Sequence, residues 1–394
     1  MKQITKLLAA LLAVALLLAG CQTANTSWVY SYQEDSMPAG VYICMMLNAY
    51  GEATQKLQEA QDAEIAALQA NLAEGAQLEN TPERISQKDP KDIYNMELDG
   101  MSVSDWMVER AGRSAREYYA TRQKMQELGL SLSEADLANS QASAAEGVKS
   151  SPEFYNKNGI AESSLALMLQ NDLAVHQLFH ALYEEGGEFA VTQEELQAHF
   201  AKQYSKIKMM FFYKADQGDL SEEEAADEKK AAKLLEEKNS ELRQKAEGYL
   251  TRLKAGEAIE DLNTEYELET AKESVEGTED AVPEVEPTKP GDLNMIVTED
   301  QASYFGEPLV RAAFDTPVGE AVLVEDTAFF FLVQRADILE DPADMQNYQE
   351  SILHEMRYDS DYLLKLEEWG KALDIQANPA AIKLYTPSRL YHGK

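Results

Sequence analysis

The sequence predicts an α+β protein that is mostly helical: a helical N-terminal domain completed by a long C-terminal helix, with a small α/β domain inserted between them. Three observations carry this. Apolar residues recur at helical spacing through most of the first 200 residues, with almost no strand signal. At residues 207–213 the period changes to a compact apolar and aromatic run of strand length. From 342 to 373 the helical period returns, carrying Tyr348, Ile352, Met356, Tyr362, Leu366 and Trp369. The boundaries that follow are a leader over 1–20, a tether over 21–27, a helical domain over 28–203, the α/β domain over 204–338 and the closing helix and tail over 339–394.

The chain opens with Lys2 and Lys6 ahead of an apolar run over 7–18. That run is about a dozen residues, against roughly 20 for a membrane-spanning helix, so it reads as a secretory signal. Leu18-Ala19-Gly20-Cys21 closes it and resembles the bacterial lipobox, in which the peptide is cut before a cysteine acylated on sulfur. Cys21 is therefore the expected lipidation site, and the protein is expected on the extracytoplasmic face of the cell membrane, held there by its lipid. Residues 22–27 form a short polar tether.

The chain has 70 Asp and Glu against 35 Lys and Arg, a formal net charge of -35. Duplex binding needs basic groups to neutralise phosphates, so nucleic acid is excluded as a partner; neutral or basic polypeptides fit better. There are two cysteines, and lipidation of Cys21 leaves Cys44 without a disulfide partner. Cys44 lies in Val41-Tyr42-Ile43-Cys44-Met45-Met46-Leu47 and reads as a small buried hydrophobe.

Along the helical domain, Ile43, Leu47, Tyr50, Leu57, Ile65, Leu68 and Leu72 predict a long amphipathic helix over 40–74. Residues 80–92, with Pro82 and Pro90, connect it to a second helix from about 104 to 129 that carries Trp106, Met107, Ala111, Ala115, Tyr118 and Tyr119. Ser133 with Asp136 caps a third, Ser151-Pro152 breaks it, and a fourth runs over 161–185 until Gly186-Gly187. Thr192-Gln193-Glu194-Glu195 is a capping box opening a short helix through Phe200.

Within the α/β domain, the strand at 207–213 is followed by a capping box at Ser221 and Glu224 that starts a Glu- and Lys-rich helix to Lys254, stopped by Gly256. A short helix over 258–266 follows, then an acidic low-complexity loop over 267–289 with Pro283 and Pro287. Residues 308–314 read as a helix, and 321–324 and 329–333 as strands separated by a turn at Glu325-Asp326.

This order of elements resembles a parvulin-type peptidyl-prolyl isomerase domain. The matching words are Ile207-Lys208-Met209-Met210-Phe211-Phe212 for the first strand, Leu253-Lys254-Ala255-Gly256-Glu257 for the helix junction, Pro290-Gly291-Asp292-Leu293 for the Gly-Gly-Asp-Leu-Gly turn, and Val318-Gly319-Glu320 before the last strands. With helical flanks and a lipobox, the layout is similar to the lipid-anchored PrsA-like foldases and the SurA-like chaperones.

The resemblance implies a proline pocket with two histidines on its floor. Aligned by strand position these fall on Met209 and Phe330, and no His lies between His199 and His354. Neither side chain relays a proton. The expectation is a parvulin-shaped module without isomerase activity, and without catalytic residues, cofactor or metal. It would bind unfolded or newly exported polypeptides through Met209, Phe211, Phe314, Phe329 and Phe330, helped by Met-rich stretches such as Met45-Met46 and Met209-Met210. Two other classes compete: an active prolyl isomerase, and a solute-binding lipoprotein of a transporter, which requires a parallel sheet flanked by helices. His176, His180 and Glu184 share one helical face, but Gln177 stands where the zincin motif has its Glu, so surface or interface histidines are expected rather than a metal site.

Overall fold

Short strands that the periodicity did not announce open the first of two units. A computed structural model describes residues 27–70, 82–275 and 283–393; Cys21 and the tether before Ser27 lie outside the described residues. The chain divides into one unit reaching Ala190 and resuming at Arg357, and a second from Val191 to Met356.

In the first unit β1 (Trp28–Tyr32) and β2 (Asp35–Pro38) form an antiparallel hairpin turned at Gln33, whose φ is 53°. The long helix α1 (Ala39–Ala70) follows directly. Its opening turns are buried on every side, Met45 and Met46 being 3% and 0% exposed. Those methionines fill the core, contrary to the expectation that they serve clients. Cys44 is buried with them, and loss of hydration pushes its thiol up to about 12.

α2 (Pro90–Tyr94) begins on an Asp89 cap, and the two-residue strands β3 (Glu97–Leu98) and β4 (Met101–Ser102) turn through Asp99 and Gly100, both with positive φ. α3 (Val103–Glu127) is capped by Ser102. The predicted capping box of Ser133 and Asp136 opens α4 (Glu134–Ser150); α5 (Pro152–Asn158) and α6 (Glu162–Tyr183) complete the run.

The second unit starts with α7 (Gln193–Gln203) on the Thr192 capping box and continues into β5 (Tyr204–Tyr213). α8 (Glu222–Ala225) is a single turn, and Asp227 recaps the chain by accepting from the amides of Lys229 and Lys230 before α9 (Glu228–Lys254). One helix was expected there; the aspartate splits it. α10 (Ile259–Ser274) runs well into the segment expected as an acidic loop, because Lys245 pairs with Glu269 at 2.9 Å and Glu273 at 3.4 Å and Tyr249 donates to Glu269 at 3.2 Å. β6 (Asn294–Thr298) is an additional strand; α11 (Ala302–Phe305), α12 (Glu307–Asp315), β7 (Ala321–Glu325), β8 (Phe329–Ala336) and α13 (Pro342–Arg357) follow.

The four long strands form one antiparallel sheet in the order β6-β5-β8-β7. One face packs on α9 and α10 through Met210, Phe212, Leu332, Tyr249 and Leu262. The other packs on α12 through Ile207, Val297, Val333, Leu309 and Ala313. Lys206, 9% exposed, reaches Asp344 of α13 at 2.6 Å, and Glu355 accepts from Tyr204 at 2.5 Å, so α13 is held to β5 by paired polar groups.

The expected closing helix is interrupted by a π-helical turn (Tyr358–Tyr362) before α14 (Leu363–Ala372). The chain then adds β9 (Gln376–Ala377) beside β1 and ends after α15 (Pro379–Leu384). Every strand pair among the described residues is antiparallel, so the parallel sheet of a solute-binding protein is not among them. No described helix is long and apolar enough to cross a membrane.

Candidate functional site

Side chains alternate faces along a strand, and residues directly opposite in an antiparallel ladder share a face. Met209 lies opposite Val333, Phe211 opposite Phe331 and Tyr213 opposite Phe329. These six therefore occupy the sheet face that packs on α12. At the α12 end the face is closed by Leu309 and Ala313; at the far end it opens, with Phe211 42% and Tyr213 65% exposed.

The open end is an aromatic cluster. Ring centroids lie 5.5 Å apart for Phe211 and Tyr213, 5.0 Å for Tyr213 and Phe329, 6.4 Å for Phe211 and Phe329, and 5.4 Å for Phe329 and Phe331. The first three pairs meet edge to face, the arrangement aromatic quadrupoles favour. A cluster of large apolar side chains left this exposed is a candidate surface for contact with another molecule.

Of the expected binding residues, Met209, Phe211 and Phe329 come together on this face, with Phe314 of α12 half-buried beside it. Phe330 does not join them. It lies opposite Phe212, pointing to the α9 side, and is 2% exposed within the core. Lys214 and Arg243 lie over its ring at 5.0 Å and 5.9 Å, and both pair with Glu325, at 2.9 Å and 2.7 Å. The Lys214 hydrogen bond above all holds the Glu325 carboxyl below the usual carboxylate range.

The two positions aligned with the parvulin histidines, Met209 and Phe330, thus lie on opposite faces and do not converge on one pocket. On its own face Met209 lies directly opposite Val333 of β8, with Phe331 and Arg335 diagonal to it. The open end offers a thioether, hydrocarbons and one phenol, with no carboxylate, imidazole or thiol among Met209, Phe211, Tyr213, Phe329, Phe331 and Val333. Such a surface desolvates and stacks, and its one polar side-chain group is the Tyr213 hydroxyl. Arg335, at the closed end, donates to the carbonyls of Phe314 at 2.6 Å and Thr316 at 2.9 Å, a structural role. Tyr213 and Phe331 were not among the expected residues. The alternation of 207–213 would have found Tyr213 as the next residue on the face of Phe211.

In the first unit the His176 and His180 rings approach at 3.1 Å between Nε2 atoms, and His180 Nδ1 meets Glu184 at 2.7 Å. Both ring nitrogens of His180 are engaged. His392 sits against the Tyr50 ring, 4.1 Å between centroids, with Nε2 2.5 Å from Tyr94 Oη, and its burial lowers its pKa below the ordinary histidine value.

No protein-family model matches the chain, and no curated protein does. Solved structures to which it is similar include PrsA foldase structures. The foldase protein PrsA from Streptococcus pneumoniae is 14% identical over 75% of this chain and 99% of its own, with a TM-score of 0.31. PrsA from Bacillus subtilis is 14% identical over 68% of this chain and 84% of its own, at 0.26. The foldase protein PrsA from Lactococcus lactis is 10% identical over 91% of this chain and 99% of its own, at 0.31.

Proposed function

We propose that this protein is an extracytoplasmic chaperone, anchored to the cell membrane through lipidated Cys21, that binds unfolded or newly exported polypeptides and does not isomerise prolyl bonds. The observation that carries the reading is the open aromatic end of the sheet, where Phe211, Tyr213 and Phe329 stand exposed or half-exposed with no histidine, cysteine or carboxylate among them. Weak apolar contacts made there to unfolded chains lower their free concentration by mass action and so slow aggregation. The excess of acidic residues keeps the holder soluble and favours clients with basic segments.

Rotation of an X-Pro bond faces a barrier of about 20 kcal/mol, and the parvulin answer needs polar groups around the rotating carbonyl. The residues at the open end supply hydrophobic contact and a single phenol, without the two histidines of the parvulin floor. Two assays on a soluble form beginning after Cys21 test the proposal. It should suppress aggregation of an unfolded secreted protein at near-stoichiometric ratios and leave the isomerisation rate of a proline-containing peptide at background. Turnover clearly above background, or no suppression, contradicts the reading.

A further inference from the structure

The aromatic end of the sheet is flanked by a strand edge whose main chain lacks a neighbour. β5 has 10 residues, but β6 pairs only with Tyr204 to Lys208. The last bond is from Met209 N to Leu293 O at 3.1 Å. The partner strand then departs: Gly291 takes a φ of 98° and Asn294 N bonds back to Gly291 O at 3.0 Å, while Pro290 has no N–H to offer.

In a ladder, alternate residues direct both backbone groups to the same side. Met209 N points to β6, and Lys214 N points to β8, where it donates to Ala328 O at 2.9 Å. Phe211 and Tyr213 therefore direct their N–H and C=O to the side that β6 has vacated. The next residue of that parity, Ala215, is closed off, since its N donates to Asn239 Oδ1 at 2.7 Å and its O accepts from Asn239 Nδ2 at 3.1 Å. The open edge is thus bounded by Leu293 and Asn239. Among the described residues nothing pairs with the four backbone groups between them.

We propose that an extended, proline-free polypeptide segment adds to this sheet as an antiparallel strand along 209–213, continuing the line of β6. An exposed aromatic cluster by itself accepts many shapes, but unpaired N–H and C=O groups at strand spacing select an extended main chain. In the antiparallel arrangement each client residue that exchanges hydrogen bonds with Phe211 or Tyr213 also places its side chain on their face, against the aromatic cluster. The preferred segment is apolar at every second residue and basic at its ends, because acidic residues outnumber basic ones by 70 to 35. This inference rests on the polypeptide-binding reading above and supplies its binding mode.

The probe is a nine-residue peptide of alternating valine and threonine with an arginine at each end, titrated against the soluble chain in three forms: unmodified, N-methylated on the valines, and N-methylated on the threonines. The valines face the cluster, so their amides are the ones that donate to the edge. Valine methylation should weaken binding at least about tenfold and threonine methylation less than about threefold. The amides of Phe211 and Tyr213 should become protected from hydrogen exchange when the unmodified peptide is bound. If all three forms bind equally, or the threonine set is the sensitive one, strand addition is overturned. Should Phe211→Ser/Tyr213→Ser abolish binding while methylation does nothing, the aromatic face survives and only the strand mode falls. An unmodified peptide that binds that variant as well as it binds the parent, or fails to bind the parent, removes both.

Discussion

Phe330 and Phe211 are the same residue type on neighbouring strands, yet the two faces of the sheet give them different tasks, and truncating each should separate stability from binding. Phe330 is 2% exposed between β8 and α9, packed with Met210, Phe212, Leu332 and Tyr249. A buried aromatic ring removes roughly 150–250 Å² from water. Phe330→Ala loses that transfer energy and leaves a cavity bounded by the helix, a total of about 3–5 kcal/mol. Phe211 is 42% exposed at an open edge, where no enclosed cavity forms, so Phe211→Ala should cost about 1 kcal/mol. Trp28, Trp106 and Trp369 all lie in the first unit, so tryptophan fluorescence does not report on the sheet. Native-state amide exchange of the slowest β5 and β8 amides does. Phe330→Ala should accelerate it by more than about 100-fold, and Phe211→Ala by about tenfold or less. Equal accelerations, or a change under about threefold in Phe330→Ala, would refute the face assignment.

Three further outcomes follow from the same geometry. Cys44 is buried with its thiol pushed up to about 12, so in a form lacking Cys21 it should resist a thiol reagent at pH 8 and react fully in denaturant; rapid native labelling would contradict its burial. Burial lowers the pKa of His392 below 6.5, which means the folded state binds fewer protons than the unfolded one; stability from this site is complete above 6.5 and declines as pH falls toward the folded value. An NMR titration placing His392 at or above 6.5 would reverse that sign. At Gly370 an added methyl would lie 2.9 Å from the backbone carbon of Arg116, so Gly370→Ala should lower the thermal midpoint of the first unit by tryptophan fluorescence, overpacking of about 1–3 kcal/mol exceeding a helix-propensity gain of about 1. A raised midpoint would deny the close approach of α3 and α14.

The features read correctly from sequence are those whose physics is local. Capping boxes at Ser133 and Thr192 were visible because cap and N3 residue sit three apart, and each forms as expected. The capping box at Ser221 also forms, but the same local logic at Asp227 ends the helix four residues on. What the sequence hid depends on distant partners. β1 is completed by β9, with Tyr30 paired to Ala377, and nothing near Trp28 announces that strand. The 267–274 stretch looks like solvated acidic chain until Lys245 and Tyr249 are placed against it. At the candidate site, residue type was legible and orientation was not: Phe329, Phe330 and Phe331 are consecutive aromatics, so composition cannot say which face each takes. Only the register with β5, Phe330 opposite Phe212, sends Phe330 inward and leaves Phe329 and Phe331 with Phe211.

The measurement that bears most directly on the polypeptide-binding face is aggregation of an unfolded secreted protein in the presence of the soluble chain and of its Phe211→Ser/Tyr213→Ser/Phe329→Ser variant, with both shown to be equally folded by circular dichroism. The parent should suppress aggregation and the variant should lose most of that effect. A variant that suppresses as well as the parent would place binding elsewhere and contradict the account.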